Sequence, residues 1–142
     1  MNIVETDFWC LMLPPEWMAE QTEEVVRIVD PDQIGELAIT SLMCEVDQQT
    51  PDDIKRMAQT ESPEITGWQH ARFGAFEGLS GRFEEDETIV TEWYLSHGKI
   101  LLYITYICER EDAGMDAAAI DEILDTLVPG DAVSESLSLI HI

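Results

Sequence analysis

Few residues in this chain are spaced for reaction chemistry. Gly78-Leu79-Ser80-Gly81 approaches the GxSxG pattern that lifts a serine nucleophile on a strand-to-helix elbow. Residue 82 is Arg rather than Gly, and strand-like residues lie on both sides, so Ser80 is not expected to be a nucleophile. Asp30-x-Asp32-x-x-Gly35 is similar to the opening of an EF-hand loop. It fails at the fifth position, Ile34, and at the twelfth, Ser41, where a bidentate Glu is required, so a hairpin turn accounts for it. The run Glu84-Glu85-Asp86-Glu87 could hold a hard cation loosely and reads first as a solvated turn. His70, His97 and His141 stand far apart, with no HxH or HExxH spacing, so a zinc site is not expected. His97 reads as a hairpin-tip residue and His70 as a half-exposed strand residue. A pairing of His97 with Cys108 is unsupported, because residue 108 lies deep in a strand. No glycine-rich phosphate loop or dinucleotide fingerprint is present. The expectation is therefore no catalytic residue, no metal and no cofactor.

Recognition chemistry offers more. Arg82 is one of only 7 Lys/Arg against 30 Asp/Glu. On a strand it projects opposite Leu79 and Phe83. It pairs with a strand carboxylate such as Glu77 or Glu92, or it recognises the carboxylate of a partner. Trp68, Phe76, Trp93, Tyr94, Tyr103 and Tyr106 cluster in the second half of the chain. They pack a core, or some of them line a groove that takes a peptide or helix. The residues singled out for partner binding are Trp68, Arg82, Trp93, Tyr94 and Tyr103. Cys10, Cys44 and Cys108 are odd in number, widely spaced, lack CxxC and sit in apolar runs, as buried reduced thiols do.

The elements that must position these residues follow from periodicity. Phe8–Leu13 is a continuous apolar run ended by Pro14-Pro15, which reads as a strand apolar on both faces. Trp17 should pack back on the sheet, and residues 20–24 form a polar break. Val25–Val29 is β-branched and predicts a strand; a helix over residues 16–29 is the competing reading. The turn at residues 30–35 joins it to a strand over Leu37–Cys44, making a hairpin. Thr50 caps a helix with Pro51 at its first position, Asp52 and Asp53 in its first turn, and Ile54, Met57 and Ala58 on one stripe. Ser62-Pro63 closes it. A β-meander follows, over residues 68–73, 76–83, 88–95 and 100–108. In the third of these strands Ile89, Thr91, Trp93 and Leu95 share one face, and Val90, Glu92 and Tyr94 the other. Ser96-His97-Gly98-Lys99 is a tight turn, and Ile100–Cys108, the most apolar strand, should be central. Ile120, Ile123, Leu124 and Leu127 stripe a last helix over about 116–128, which Pro129-Gly130 stops. The order β-β-β-α-β-β-β-β-α is α+β: a mainly antiparallel sheet of six to seven strands flanked by two amphipathic helices. Residues 1–129 form one domain and 130–142 a loose tail.

This layout resembles the PsbP-like and Ran-binding Mog-like fold group, which includes small bacterial chaperones of type VI secretion effectors. The resemblance rests on Phe8-Trp9-x-Leu11-x-Leu13-Pro14-x-x-Trp17, Gly78-x-x-Gly81-Arg82-Phe83 and Glu92-Trp93-Tyr94, followed by a long apolar strand and an acidic helix. It implies a central antiparallel sheet flanked by helices and a protein that binds other proteins rather than catalyses. It carries no site residue with it.

Charge narrows the partners. At −23 the chain lacks the basic footprint that nucleic acid or an anionic membrane requires. The acidic start has no basic n-region, and the longest apolar run is too short to cross a bilayer, so a cytoplasmic protein is expected. The leading expectation is a non-enzymatic protein-binding module that takes an apolar segment on its sheet, as a secretion-associated chaperone or adaptor would. The alternative is an acidic inhibitor or immunity-type protein that binds a basic partner through charge. A small-ligand-binding protein or an enzyme is the third class, and a homodimer through a sheet edge or face is compatible with each.

Overall fold

The computed structural model describes residues 2–44 and 50–130. The tail expected over 131–142, with His141, lies outside the described residues.

In chain order the elements are β1 (Asn2–Glu5), β2 (Trp9–Leu13), β3 (Met18–Gln21), β4 (Val25–Val29), β5 (Gly35–Met43), α1 (Pro51–Glu61), β6 (Gln69–Phe73), β7 (Phe76–Glu85), β8 (Thr88–His97), β9 (Ile100–Glu109), a 3-10 turn (Arg110–Asp112), α2 (Ala117–Leu124) and β10 (Val128–Pro129). Seven strands form an antiparallel sheet in the order β3-β4-β5-β9-β8-β7-β6. The apolar β9 is its middle strand, as its composition requires. A second sheet, β1-β2-β10, packs with α2 over one face of the first.

The two faces of β8 and β9 make two cores. On one face Ile89, Trp93, Leu95, Leu102 and Ile104 meet Trp9, Leu11 and Leu13 of β2 and Ile120, Ile123 and Leu124 of α2. On the other, Tyr94 and Leu101 meet Ile54 and Ala58 of α1. The indole of Trp9, wholly buried, spans the layers and donates from Nε1 to Ser41 Oγ at 2.8 Å. Trp17 packs on the same core, as expected. Helix α1 starts where its cap dictates. Asp53 N–H donates to Thr50 Oγ1 at 3.1 Å and Thr50 N–H donates to Asp53 Oδ2 at 3.2 Å, so an aspartate closes a capping box.

The strand expected over Val25–Val29 forms, and the competing helix over 16–29 does not. Three expectations are corrected. The polar break at 20–24 overlaps β3, whose residues are all exposed; an edge strand that buries neither face shows no periodicity. Strand β2, apolar on both faces, buries only one of them fully, since Met12 is 39% exposed while Trp9, Leu11 and Leu13 are buried. Helix α2 stops at Leu124, and Val128-Pro129 pairs with Cys10 and Trp9 of β2. A proline fits there because β10 is an edge strand.

Candidate functional site

Residues expected to bind a partner together lie on different faces. Trp93 is in the main core and Tyr94 beneath α1, each under a tenth exposed. Arg82 is cross-strand from Thr91 and belongs to the face that α2 covers. It pairs with neither expected carboxylate. Glu92 is buried on the opposite face, and Glu77 takes His70 at 3.4 Å and Arg72 at 3.9 Å. Tyr103 and Trp68, half-buried, pack around the α1 core. Only these two and Tyr94 converge: the rings of Trp68 and Tyr94 meet edge-on at 5.6 Å, and those of Tyr94 and Tyr103 lie 5.0 Å apart.

That convergence encloses a polar cluster absent from the sequence reading. Ser62 donates its hydroxyl to Glu92 Oε1 and lies 2.9 Å from the Tyr94 hydroxyl. Having given its one proton to Glu92, Ser62 accepts from Tyr94. Tyr103 also faces Glu92, and burial followed by the Glu92 charge pushes its hydroxyl far above the ordinary tyrosine range. Burial likewise raises Tyr94. Glu92 is 4% exposed and Ser62 2%. A carboxylate this deep, bonded by the hydroxyl of Ser62 at the C-terminal cap of α1, anchors the helix to the sheet. Trp68 closes it from outside by lying over Gly81, where a Cβ would sit 2.5 Å from Ile65 Cγ2 and 3.0 Å from the Trp68 ring. The glycines of the near-hydrolase motif thus serve packing: at Gly78 a Cβ would collide with the Tyr94 carbonyl oxygen.

His70 and His97, far apart in sequence, line one cleft of about 370 Å³ at the start of α1, with Glu77 and Ser96. His97 is turned edge-on to Phe76 at 5.6 Å. Among the described residues the carboxylates able to converge on an ion are Glu109, Glu111 and Asp112, not the Glu84–Glu87 run. Glu109 and Glu111 are exposed, and Glu111, by hydrogen bond and charge, raises the Glu109 carboxyl.

The largest feature with recognition chemistry is a cross-strand row. Met18, Val29, Glu36, Ile107, Val90 and Phe83 are consecutive register partners on β3, β4, β5, β9, β8 and β7. Register partners share a face, here the face that carries α1. The helix covers the β7–β8 end around Tyr94 and Leu101, and none of the six belongs to either core. Met18 is 70% and Ile107 42% exposed, and the other four are half-buried. At about 4.8 Å per strand the row runs for about 24 Å. A shallow groove of about 350 Å³ opens at Val29, Glu36 and Ile107. Towards the turns the next partners on this face are Glu85, Thr88 and Glu109, so acids border the row. Alternation had marked Val90 as facing away from Trp93, but no local signal shows how much of that face a helix will cover.

No protein-family model matches this sequence, and no curated protein sequence does. Solved structures do match in fold. A protein from Bacteroides thetaiotaomicron aligns with TM-score 0.63 at 18% identity, over 85% of this chain and 44% of its own, so the chain spans less than half of that protein. LpqN of Mycobacterium tuberculosis, described as involved in cell envelope biogenesis, aligns with TM-score 0.58 at 15% identity, over 86% and 83%. The cyanobacterial PsbP of Synechocystis aligns with TM-score 0.60 at 12% identity, over 90% and 91%. The fold is PsbP-like, α+β, as the layout of the sequence implied.

Proposed function

We propose that this protein is a non-enzymatic module that binds a segment of another protein along the row Met18–Val29–Glu36–Ile107–Val90–Phe83. The observation that carries this reading is an uncovered apolar row crossing six strands, with one carboxylate inside it and Glu85 and Glu109 beside it. The partner segment is apolar with flanking Lys or Arg. Its apolar residues bury the row, and its cations meet the acids of a chain that carries −23. A second copy fits less well, because it would bring the same acids against each other. A secretion-associated chaperone or adaptor is the finer form of this reading, with an apolar client segment. The free thiols of Cys44 and Cys108 support a reducing compartment such as the cytoplasm. Among the described residues no helix is long and apolar enough to cross a membrane.

The experiment is capture from host lysate with wild type, with Val90→Lys/Ile107→Lys, and with Leu42→Lys as an exposed control off the row, at low and high salt. A partner held by wild type and by Leu42→Lys, lost at least tenfold by the row variant and retained at high salt, is the expected result. A partner indifferent to the row variant overturns the proposal. One lost completely at high salt whichever chain is used returns the acidic-inhibitor reading. Self-association through the row, seen by sedimentation, replaces the partner with a second copy.

A further inference from the structure

On the opposite face of the sheet, a cavity of about 220 Å³ lies between β8, β9 and α2. Its walls are Ile89, Trp93, Cys108 and Ile120, and Arg82 and Asp121 stand exposed at its edge. The main core is thinnest here: Trp93, Cys108 and Tyr106 keep 6%, 7% and 9% exposure, while Leu95, Leu102 and Ile104 keep none.

Arg82 is the exception among the arginines. Arg27 pairs with Glu36, Arg56 with Asp53, Arg72 with Glu77 and Arg110 with Glu84. Arg82 has no carboxylate within ion-pair distance among the described residues, in a chain with 30 acids to choose from. A guanidinium offers a planar fork of donors that matches a carboxylate. Beside an apolar cavity, it can hold the charged end of a molecule whose remainder is buried. The volume sets the size of that remainder, since an apolar cavity of about 150 Å³ takes a benzene ring. Asp121 at the same edge disfavours a second negative charge on the ligand.

We infer that this cavity is a binding site for a small monocarboxylic acid with an aryl or branched alkyl body, with Arg82 taking the carboxylate and Trp93, Ile89 and Ile120 taking the body. The site faces away from the proposed docking row, so either can fail without the other.

The test titrates 3-phenylpropanoate into the full chain at low salt, read by calorimetry and by tryptophan fluorescence, with 3-phenylpropan-1-ol as the uncharged counterpart. Two variants accompany it, Arg82→Gln to remove the charge and Ala117→Phe to plug the cavity edge, both at exposed positions. Circular dichroism verifies their folds. Saturable one-to-one binding, weakened roughly ten- to hundredfold by Arg82→Gln and by the same range for the alcohol, is expected. Ala117→Phe should abolish it. Absence of saturation into the millimolar range overturns the inference, as does an affinity that neither variant changes.

Discussion

Tyr106 donates its hydroxyl to Asp116 Oδ2 at 3.1 Å, and the Asp116 carboxyl faces the charge of Asp30. Asp30 is 4% exposed and accepts from the Ile34 N–H at 2.9 Å. The Tyr106 bond ties β9 to the start of α2, and Asp30 closes the β4–β5 turn beside it. Burial first, then the Asp30 and Asp32 charges, hold the Asp116 carboxyl above its ordinary 3.8, against the Tyr106 bond. The folded state therefore keeps this proton better than the unfolded chain. The stability from this group is fully present below pH 3.8 and is lost as pH rises through the raised folded value. Asp116→Asn keeps the acceptor for Tyr106 and removes the buried charge that faces Asp30 and Asp32. Its melting temperature should exceed that of wild type by a few degrees at pH 7, with the advantage shrinking towards pH 4 as Asp116 takes its proton. Thermal denaturation across that range reads it, and a difference constant with pH would remove the carboxyl pair from the explanation.

At the scale of elements, the junction of β7, α1 and the segment after α1 shows how a weak motif becomes a packing device. Trp68 lies one residue before β6 and covers Gly81 of β7, while Ile65 comes from the loop that follows α1. Gly81→Ala places a methyl group against Ile65 and the Trp68 ring. It should cost about 1–3 kcal/mol by overpacking. At Gly67 a Cβ meets nothing within 4 Å, so Gly67→Ala is the matched control, expected to be near neutral. Urea denaturation with tryptophan fluorescence compares the two. Equal midpoints would mean that Trp68 moves aside without loss and does not seal Glu92. The arginines divide at this scale too. Four meet carboxylates of a neighbouring strand or, for Arg56, of the same helix, whereas Arg82 lies on the face where α2 brings Asp121 to the same cavity without pairing with it.

Across the whole molecule the governing quantity is −23 charges on 142 residues. Self-repulsion on this scale opposes the compact state, and salt screens it, with a Debye length of about 10 Å at 0.1 M. The melting temperature should rise by several degrees between low salt and about 0.5 M sodium chloride. A flat response would mean that the acids are too well dispersed to repel, and would weaken the charge argument for a basic partner. The same acids leave one long apolar row on the open sheet face, bordered by Glu85 and Glu109. Apolar contact and charge would therefore act on a partner together, and salt separates them.

Sequence by itself determined the class, the two helices, the central place of Ile100–Cys108 and the two faces of β8. Each of these is written in local periodicity or in a cap, and local rules act within a few residues. The Thr50 cap and the Ile120–Leu127 stripe were legible for that reason. Strands β1, β3 and β10 were not, because edge strands that bury little exist only through their partners. The fate of the expected binding residues was equally non-local. An aromatic strand residue is core or surface according to which helix lies over it, and α1 and α2 cover only parts of the sheet's faces. Only the tertiary structure could put Trp93 and Tyr94 inside, leave Ile107 and Val90 open, and strand Arg82 beside a cavity.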